Sequence, residues 1–187
     1  MRREAVLANI ATMAAYAERH DLLFAPHAKT TMAPTLLDAQ LAAGAWAMTV
    51  ATASQALVLR RLGVPRVLIA NEVLDPTALR WLAAESAAGW EVFLQVDSVA
   101  GVEAVAAAGG LPVLVELGHP GGRTGCRTVE EVVAVARAAA GAPGVSLLGV
   151  TAYEGALPDV EAVDAFLATL VEAARAVADL AGPGGAP

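Results

Sequence analysis

Apolar and polar positions along the chain follow two alternating rhythms. Over residues 4–19, Val6, Ile10, Met13 and Ala17 recur at steps of three and four, the period of an amphipathic helix. Beyond it, short apolar runs at 24–29, 46–50, 66–70, 91–96, 112–117 and 145–152 alternate with helical stretches at 35–43, 52–62, 76–88, 99–108, 128–140 and 158–180. The punctuation agrees: Pro34 suits a helix start, Thr52 and Ser98 suit caps, and Gly44 and Gly63 suit helix ends. The run 66–70 lacks polar alternation and reads as a buried parallel-type strand. Strand and helix alternate with short connections, which predicts an α/β chain whose parallel sheet is wound by helices. About six strand–helix units can be counted, against the eight of a closed (β/α)8 TIM-type barrel. An incomplete barrel and a doubly wound sheet share this rhythm, so periodicity alone does not separate them. Residues 1–180 are expected to form the folded domain, and the Gly- and Pro-rich 181–187 a disordered tail.

Composition narrows the function classes. The 187 residues are 57% hydrophobic but only 4% aromatic, enough for one domain with a sizeable core. The formal net charge is −7 with no basic stripe, which disfavours nucleic acid as a partner. A single cysteine excludes a disulfide framework or a multi-cysteine zinc site, and His20, His27 and His119 show no metal-ligand spacing. Met1-Arg2-Arg3 opens like a signal peptide, but Glu4, Asn9 and Thr12 interrupt any apolar core of one. The uncharged stretch 41–59 is broken by Gly44, Thr49, Thr52, Ser54 and Gln55 and reads as a strand feeding a helix, not a membrane span. The expectation is a cytoplasmic protein without a membrane partner.

Two stretches carry candidate chemistry. In Phe24-Ala25-Pro26-His27-Ala28-Lys29-Thr30-Thr31, a strand's period of two places His27 and Lys29 on the same side. At the C-terminal end of a barrel strand, Lys29 would sit where such barrels place their chemistry. Its alanine and proline neighbours would desolvate it in part, lowering its pKa and making the amine a usable nucleophile. The alternative is a snorkelling surface lysine. The second stretch, Gly118-His119-Pro120-Gly121-Gly122-Arg123-Thr124-Gly125, follows a strand as a ligand-facing βα loop does. It lacks both the Gly-Lys-Ser/Thr of a P-loop and the glycine spacing of a dinucleotide fold. Cys126, with no placeable histidine–carboxylate pair, reads as a small packed residue and not a nucleophile.

Pro26-His27-Ala28-Lys29-Thr30 resembles the cofactor-lysine motif of the fold-type III pyridoxal-phosphate enzymes, which include alanine racemase, D-threonine aldolase and D-serine dehydratase. The segments Thr31-Met32-Ala33-Pro34 and Gly44-Ala45-Trp46-Ala47-Met48-Thr49-Val50-Ala51-Thr52 most resemble the amino acid deaminase branch near D-serine dehydratase and D-threonine aldolase. The resemblance favours the barrel. It implies that Lys29 carries pyridoxal 5'-phosphate as a Schiff base and, once released, removes the substrate α-proton. It also implies that Arg123, in a Gly-x-x-Arg-x-Gly segment, contacts the cofactor's phenolic oxygen, a role suited to a permanently charged guanidinium. Tyr153 takes the position whose ring packs on the pyridine face, with a core tyrosine as the alternative. His27 either hydrogen-bonds near the cofactor or is a core histidine. Asn71 and Glu72 match an Ala-Asn-Glu-Val segment with no firm role, and helix capping accounts for Asp97 and Thr52 as well as any site role does.

The match covers about residues 5–157, roughly half of a full-length member, so the chain is expected to be a fragment or a truncated product. The last two barrel strands, with their phosphate-binding loops, and the C-terminal β-domain lie outside it. In the dehydratase and aldolase branches that region supplies the ligands of a divalent, zinc-type metal. The activity implied is a lyase or deaminase of D-amino acids that converts a D-serine-like β-hydroxy substrate to a 2-oxo acid and ammonia. A D-threonine aldolase-type retro-aldol cleavage, a non-catalytic pyridoxal-phosphate carrier and an inactive remnant are the alternatives. Family members are usually dimers, so the resemblance implies a homodimer for the full-length protein. For the chain alone, weak cofactor binding and little turnover are expected.

Overall fold

Alternate positions of the central strands are sealed by apolar burial, and the polar side chains of those strands stand at the positions between. The computed structural model describes residues 2–181; the Gly- and Pro-rich tail lies outside them apart from Ala181. The chain divides into two compact units, one up to Ala70 and the other from Asn71 onward.

In the first unit, α1 (Arg3–Arg19), α2 (Pro34–Ala42), β1 (Met48–Val50), α3 (Ala53–Arg61) and β2 (Arg66–Ile69) follow one another. Pro34 opens α2, where its missing N–H costs nothing. The Thr52 hydroxyl accepts from the Gln55 backbone N–H and so caps α3. β1 and β2 pair in parallel, Met48 beside Val67 and Val50 beside Ile69, and all four of these side chains are fully buried. The alternate positions of β2, Arg66 and Leu68, are only half-buried. The expectation of a strand buried on both faces is therefore corrected. Arg66 is tolerated at the strand start because its guanidinium lies 4.8 Å from the centre of the Trp46 ring and donates to the Trp46 carbonyl at 3.2 Å. α1 has the predicted apolar stripe, but of its residues only Ala17 is buried. Ile10, Met13 and Ala17 face an open groove of about 510 Å³ shared with α2.

The second unit continues with α4 (Pro76–Ala87), β3 (Glu91–Val96), α5 (Val99–Ala107), β4 (Pro112–Leu117), α6 (Val129–Gly141), β5 (Ser146–Ala152) and α7 (Val160–Val177). Every helix here has a side-chain N-cap: Asp75, Ser98, Thr128 and Asp159 accept from the backbone N–H three residues on. β3, β4 and β5 are parallel neighbours, and β5 carries a bulge that sets Gly149 beside Leu114. Val92, Leu94, Val96, Val113, Val115 and Leu117 form the helix-facing side of β3 and β4 and are at most 1% exposed. Burial of each is worth about 1.5–3 kcal/mol. The opposite side carries Gln95, Leu114, Glu116 and Thr151. Gln95 on β3 reaches Thr151 on β5 at 3.3 Å. Strands two apart in a sheet are separated by roughly 9.5 Å, so this bond across β4 marks a concave surface, as barrel curvature requires.

The described residues thus contain five strands, fewer than a closed barrel's eight, and the α/β class is as the pattern predicted. Among them no helix is long and apolar enough to cross a membrane. The difference in burial between Leu94 and Leu114 has a measurable consequence. Leu94→Ala is expected to lower the unfolding free energy by about 2–5 kcal/mol. Leu114→Ala, on the concave side, should cost only about 1–2 kcal/mol because its side chain is half-buried. Urea unfolding of the two variants checks the ranking.

Candidate active site

Lys29 is placed by its neighbours' backbone. Residues 24–28 run alongside β1 in the parallel sense, with one isolated bridge between His27 and Thr49. Thr49 bonds this segment three times: its N–H donates to the Pro26 carbonyl at 2.9 Å, its carbonyl accepts from Ala28 N–H at 2.7 Å, and its hydroxyl donates to the Ala25 carbonyl at 2.7 Å. The Trp46 N–H adds a bond to the Phe24 carbonyl at 2.8 Å. The expected full strand at 24–29 is thereby corrected to a bridge, since Pro26 has no N–H to give and the chain turns at once. Thr31 and Met32 both donate to the Ala28 carbonyl, and Met32 closes the turn in the left-handed region at φ +44°.

Lys29 stands in this turn, half-buried. Its carbonyl accepts from Gln55 Nε2 at 3.4 Å, while Gln55 Oε1 accepts from Ala51 N–H at 2.9 Å. The Gln55 amide therefore joins the lysine turn to the end of β1. His27 is exposed, so it is not a core histidine. Its pKa lies below the ordinary imidazole value, first through partial desolvation and second through the positive charge of Lys29. The ring is thus mostly neutral at pH 7.

Arg123 is placed by a loop that closes on itself. After β4 the chain leaves at Gly118 and returns at Cys126, which makes a parallel bridge with Leu117. The Gly118 N–H donates to the Cys126 carbonyl at 2.7 Å, and the Cys126 N–H to the Glu116 carbonyl at 2.8 Å. The return brings Gly125, at φ +91°, against the Gly118 backbone, an approach that leaves no room for a Cβ on Gly125. Asp97 anchors the base of the loop. Its Oδ2 accepts from Gly125 N–H at 2.7 Å, its carbonyl accepts from the Cys126 thiol at 3.4 Å, and its own N–H donates to Glu72 Oε1 at 3.3 Å. The capping expectation for Asp97 is corrected: Ser98 caps α5, and the Asp97 carboxylate belongs to the loop. Glu72 also accepts from the Ser98 hydroxyl at 3.0 Å, and desolvation raises its pKa.

Arg123 and Tyr153 come together. The guanidinium lies 5.9 Å from the centre of the Tyr153 ring, and both side chains border a cavity of about 110 Å³ with Glu116, Gly122 and Thr124. Tyr153, just past β5, is 54% exposed and so is not a core tyrosine. Its ring folds over Gly155, where a Cβ would stand 2.5 Å from the hydroxyl oxygen. Glu116 is 7% exposed and accepts from the Thr124 hydroxyl at 2.8 Å. Burial raises its carboxyl pKa; the Thr124 bond and the charges of Arg123 and Arg127 oppose the rise, and Asp97 adds to it. Burial likewise pushes the Cys126 thiol up to about 11, too high for a nucleophile at neutral pH. Among the described residues no three His, Cys, Asp or Glu side chains cluster as a metal site would need.

Lys29 and His27 belong to the first unit and Arg123 and Tyr153 to the second. Sequence reasoning missed Gln55, Glu116 and Arg127. Glu116 had a signal, being a carboxylate in an otherwise apolar strand. Arg127 had one too, as a second arginine four residues beyond Arg123. Gln55 had none, because a glutamine in a helix's first turn is ordinary.

An α/β scaffold that sets a half-buried lysine at the end of a strand-like segment, and an arginine loop after a later strand, defines a class of barrel-type cofactor proteins. The alanine racemase N-terminal domain matches residues 1–184, and the chain belongs to this family of fold-type III pyridoxal-phosphate enzymes. It is 34% identical to a D-threonine aldolase of Arthrobacter sp over 155 residues, 80% of this chain and 41% of that protein. The D-threonine aldolase from Filomicrobium marinum superposes with a TM-score of 0.83 at 28% identity, covering 93% of this chain and 51% of that one. The D-threo-3-hydroxyaspartate dehydratase from Delftia sp. HT23 superposes at 0.78 with 27% identity, covering 94% and 50%. The chain thus spans about half the length of these relatives.

The buried carboxyl yields a signed prediction. A raised folded pKa favours the fold below the unfolded value of 4.5 and is a cost once pH rises through the folded value. Glu116→Gln removes that cost while keeping an acceptor for Thr124. Its thermal midpoint should exceed the wild type's at pH 7, and the difference should vanish below pH 4.5. Calorimetry across pH checks both.

Proposed function

We propose that the chain is the lysine-bearing, cofactor-binding part of a pyridoxal-phosphate-dependent lyase that acts on D-amino acids with a β-hydroxyl group. The observation that carries this reading is Lys29, half-buried and fixed through its own carbonyl at the end of the segment bonded to Thr49. The names of the similar proteins support the substrate class, since threonine and 3-hydroxyaspartate are both β-hydroxy amino acids. D-Serine shares the same Cα configuration and β-hydroxyl, and it remains in the proposal.

The donor set fits the cofactor. Lys29 offers a nucleophilic amine, Arg123 a permanent cation for an oxyanion, and Tyr153 an exposed aromatic face for a flat heterocycle. At about 110 Å³ the cavity beside Arg123 holds one functional group, not a whole cofactor. When bound, pyridoxal phosphate supplies an electron sink that lowers the cost of negative charge at Cα. Lys29 would hold the cofactor through its side-chain amine, and the same Nζ would serve as the base for the substrate α-proton. His27, neutral at pH 7, accepts a hydrogen bond beside it. Residues 1–180 act in this reading as one partial barrel. The whole protein is read as a cytoplasmic homodimer, the homodimer following from the family resemblance alone.

Incubation with pyridoxal phosphate, borohydride reduction and peptide mass spectrometry should find the adduct on Lys29, and Lys29→Ala should abolish it. In the full-length protein the same substitution should cut turnover by on the order of 10³-fold or more. Products assign the reaction: loss of the β-hydroxyl gives a 2-oxo acid and ammonia, whereas Cα–Cβ cleavage gives glycine and an aldehyde. An adduct without turnover of D-serine, D-threonine or D-3-hydroxyaspartate would mark a carrier. Wild-type protein that forms no Lys29 adduct would end the reading.

A further inference from the structure

Arg127, just past the glycine loop, has a specific geometry. Its Nη1 donates to the Thr124 carbonyl at 2.7 Å and its Nη2 to the Gly122 carbonyl at 3.0 Å. Those two carbonyls belong to the residues immediately before and after Arg123. The planar guanidinium fork therefore brackets Arg123, fixing the peptide that leads into it and the one that follows its neighbour. Gly118 belongs to the same arrangement, because a Cβ there would collide with both the Thr124 carbonyl and the Arg127 guanidinium. The far side of Thr124 is held by Glu116 and the base of the loop by Asp97. Arg127 itself is exposed, and charged contacts at the surface add little to global stability. Its effect is local to the loop.

We propose that Arg127 is a positioning residue for Arg123: it holds the loop so that the Arg123 guanidinium stays against Tyr153 at the cavity, presented to the oxyanion of an incoming cofactor. This rests on the cofactor reading above for the identity of the ligand, though not for the bracket. A lysine at 127 keeps the charge but has no planar fork, so it can hold one carbonyl and not the pair. Arg127 touches no ligand in this scheme; it acts through the direction of Arg123.

The test has two arms. In the ligand-free chain, amide exchange over 118–125 should accelerate in Arg127→Gln, with the thermal midpoint little changed. In the second arm, pyridoxal phosphate is titrated and the borohydride-trapped Lys29 adduct is measured. Arg127→Gln should raise the half-saturating concentration roughly tenfold and Arg127→Lys by less, as loss of two net hydrogen bonds would. In an Arg123→Gln background, Arg127→Gln should add nothing further, because its effect passes through the residue already lost. Unchanged exchange, full additivity in the double variant, or global unfolding of Arg127→Gln would each overturn the proposal. If the wild-type chain forms no adduct, the cofactor reading falls and the exchange arm still decides the bracket.

Discussion

The lysine turn depends on Thr49. Through one N–H, one carbonyl and one hydroxyl, this nearly dry residue on a three-residue strand holds Ala25, Pro26 and Ala28. The remaining tie of residues 24–28 to this strand region is the Trp46 N–H on the Phe24 carbonyl, and Pro26 has no N–H to add. The position of Lys29 is therefore inherited from the register of β1, and that register is set in turn by Met48 and Val50 packing beneath the helices. A slip of one residue would turn Thr49 into the core and Met48 outward. The burial energy of two apolar side chains thus fixes the place of a charged one.

The glycine loop solves a similar problem by different means. The eight-residue excursion of backbone between Leu117 and Cys126 is tied down at its base by the Asp97 carboxylate, at its flank by Glu116 through Thr124, and near its far end by the Arg127 fork. Each tie is a charged group bonded to a neutral one, which is stronger than a neutral pair where water is partly excluded. Desolvation still opposes the ionised form of Glu116 and holds its carboxyl pKa above the ordinary value. His119 adds an apolar tie, its ring meeting Phe166 of α7 edge-on at 5.7 Å.

How much of this was legible in the sequence follows from the range over which each feature acts. Helices and strands come from local periodicity, and Thr52 and Ser98 cap their helices because capping is settled within four residues. The His27 and Lys29 stretch and the Arg123 loop were visible as motifs. What was not legible depends on partners far along the chain. Asp97 stands beside a cap but bonds Gly125, and Gln55 looks like any first-turn residue but reaches Lys29 across 26 positions. The run 66–70 looked dry on both faces because Val, Leu and Ile are apolar wherever they point. Only the helices' position shows that Val67 and Ile69 are enclosed and Leu68 is not.

The alternation along each strand has an evolutionary reading. In Gln95 and Val96, or Val115 and Glu116, neighbours in sequence point to opposite sides of the sheet and answer to different selection. One set packs against the helices, and the other stands on the concave side of the sheet, where Gln95 and Glu116 bond Thr151 and Thr124. A lineage can therefore exchange the second set, residue by residue, while the first is conserved. Such a partition lets one scaffold diversify its chemistry without passing through unfolded ancestors.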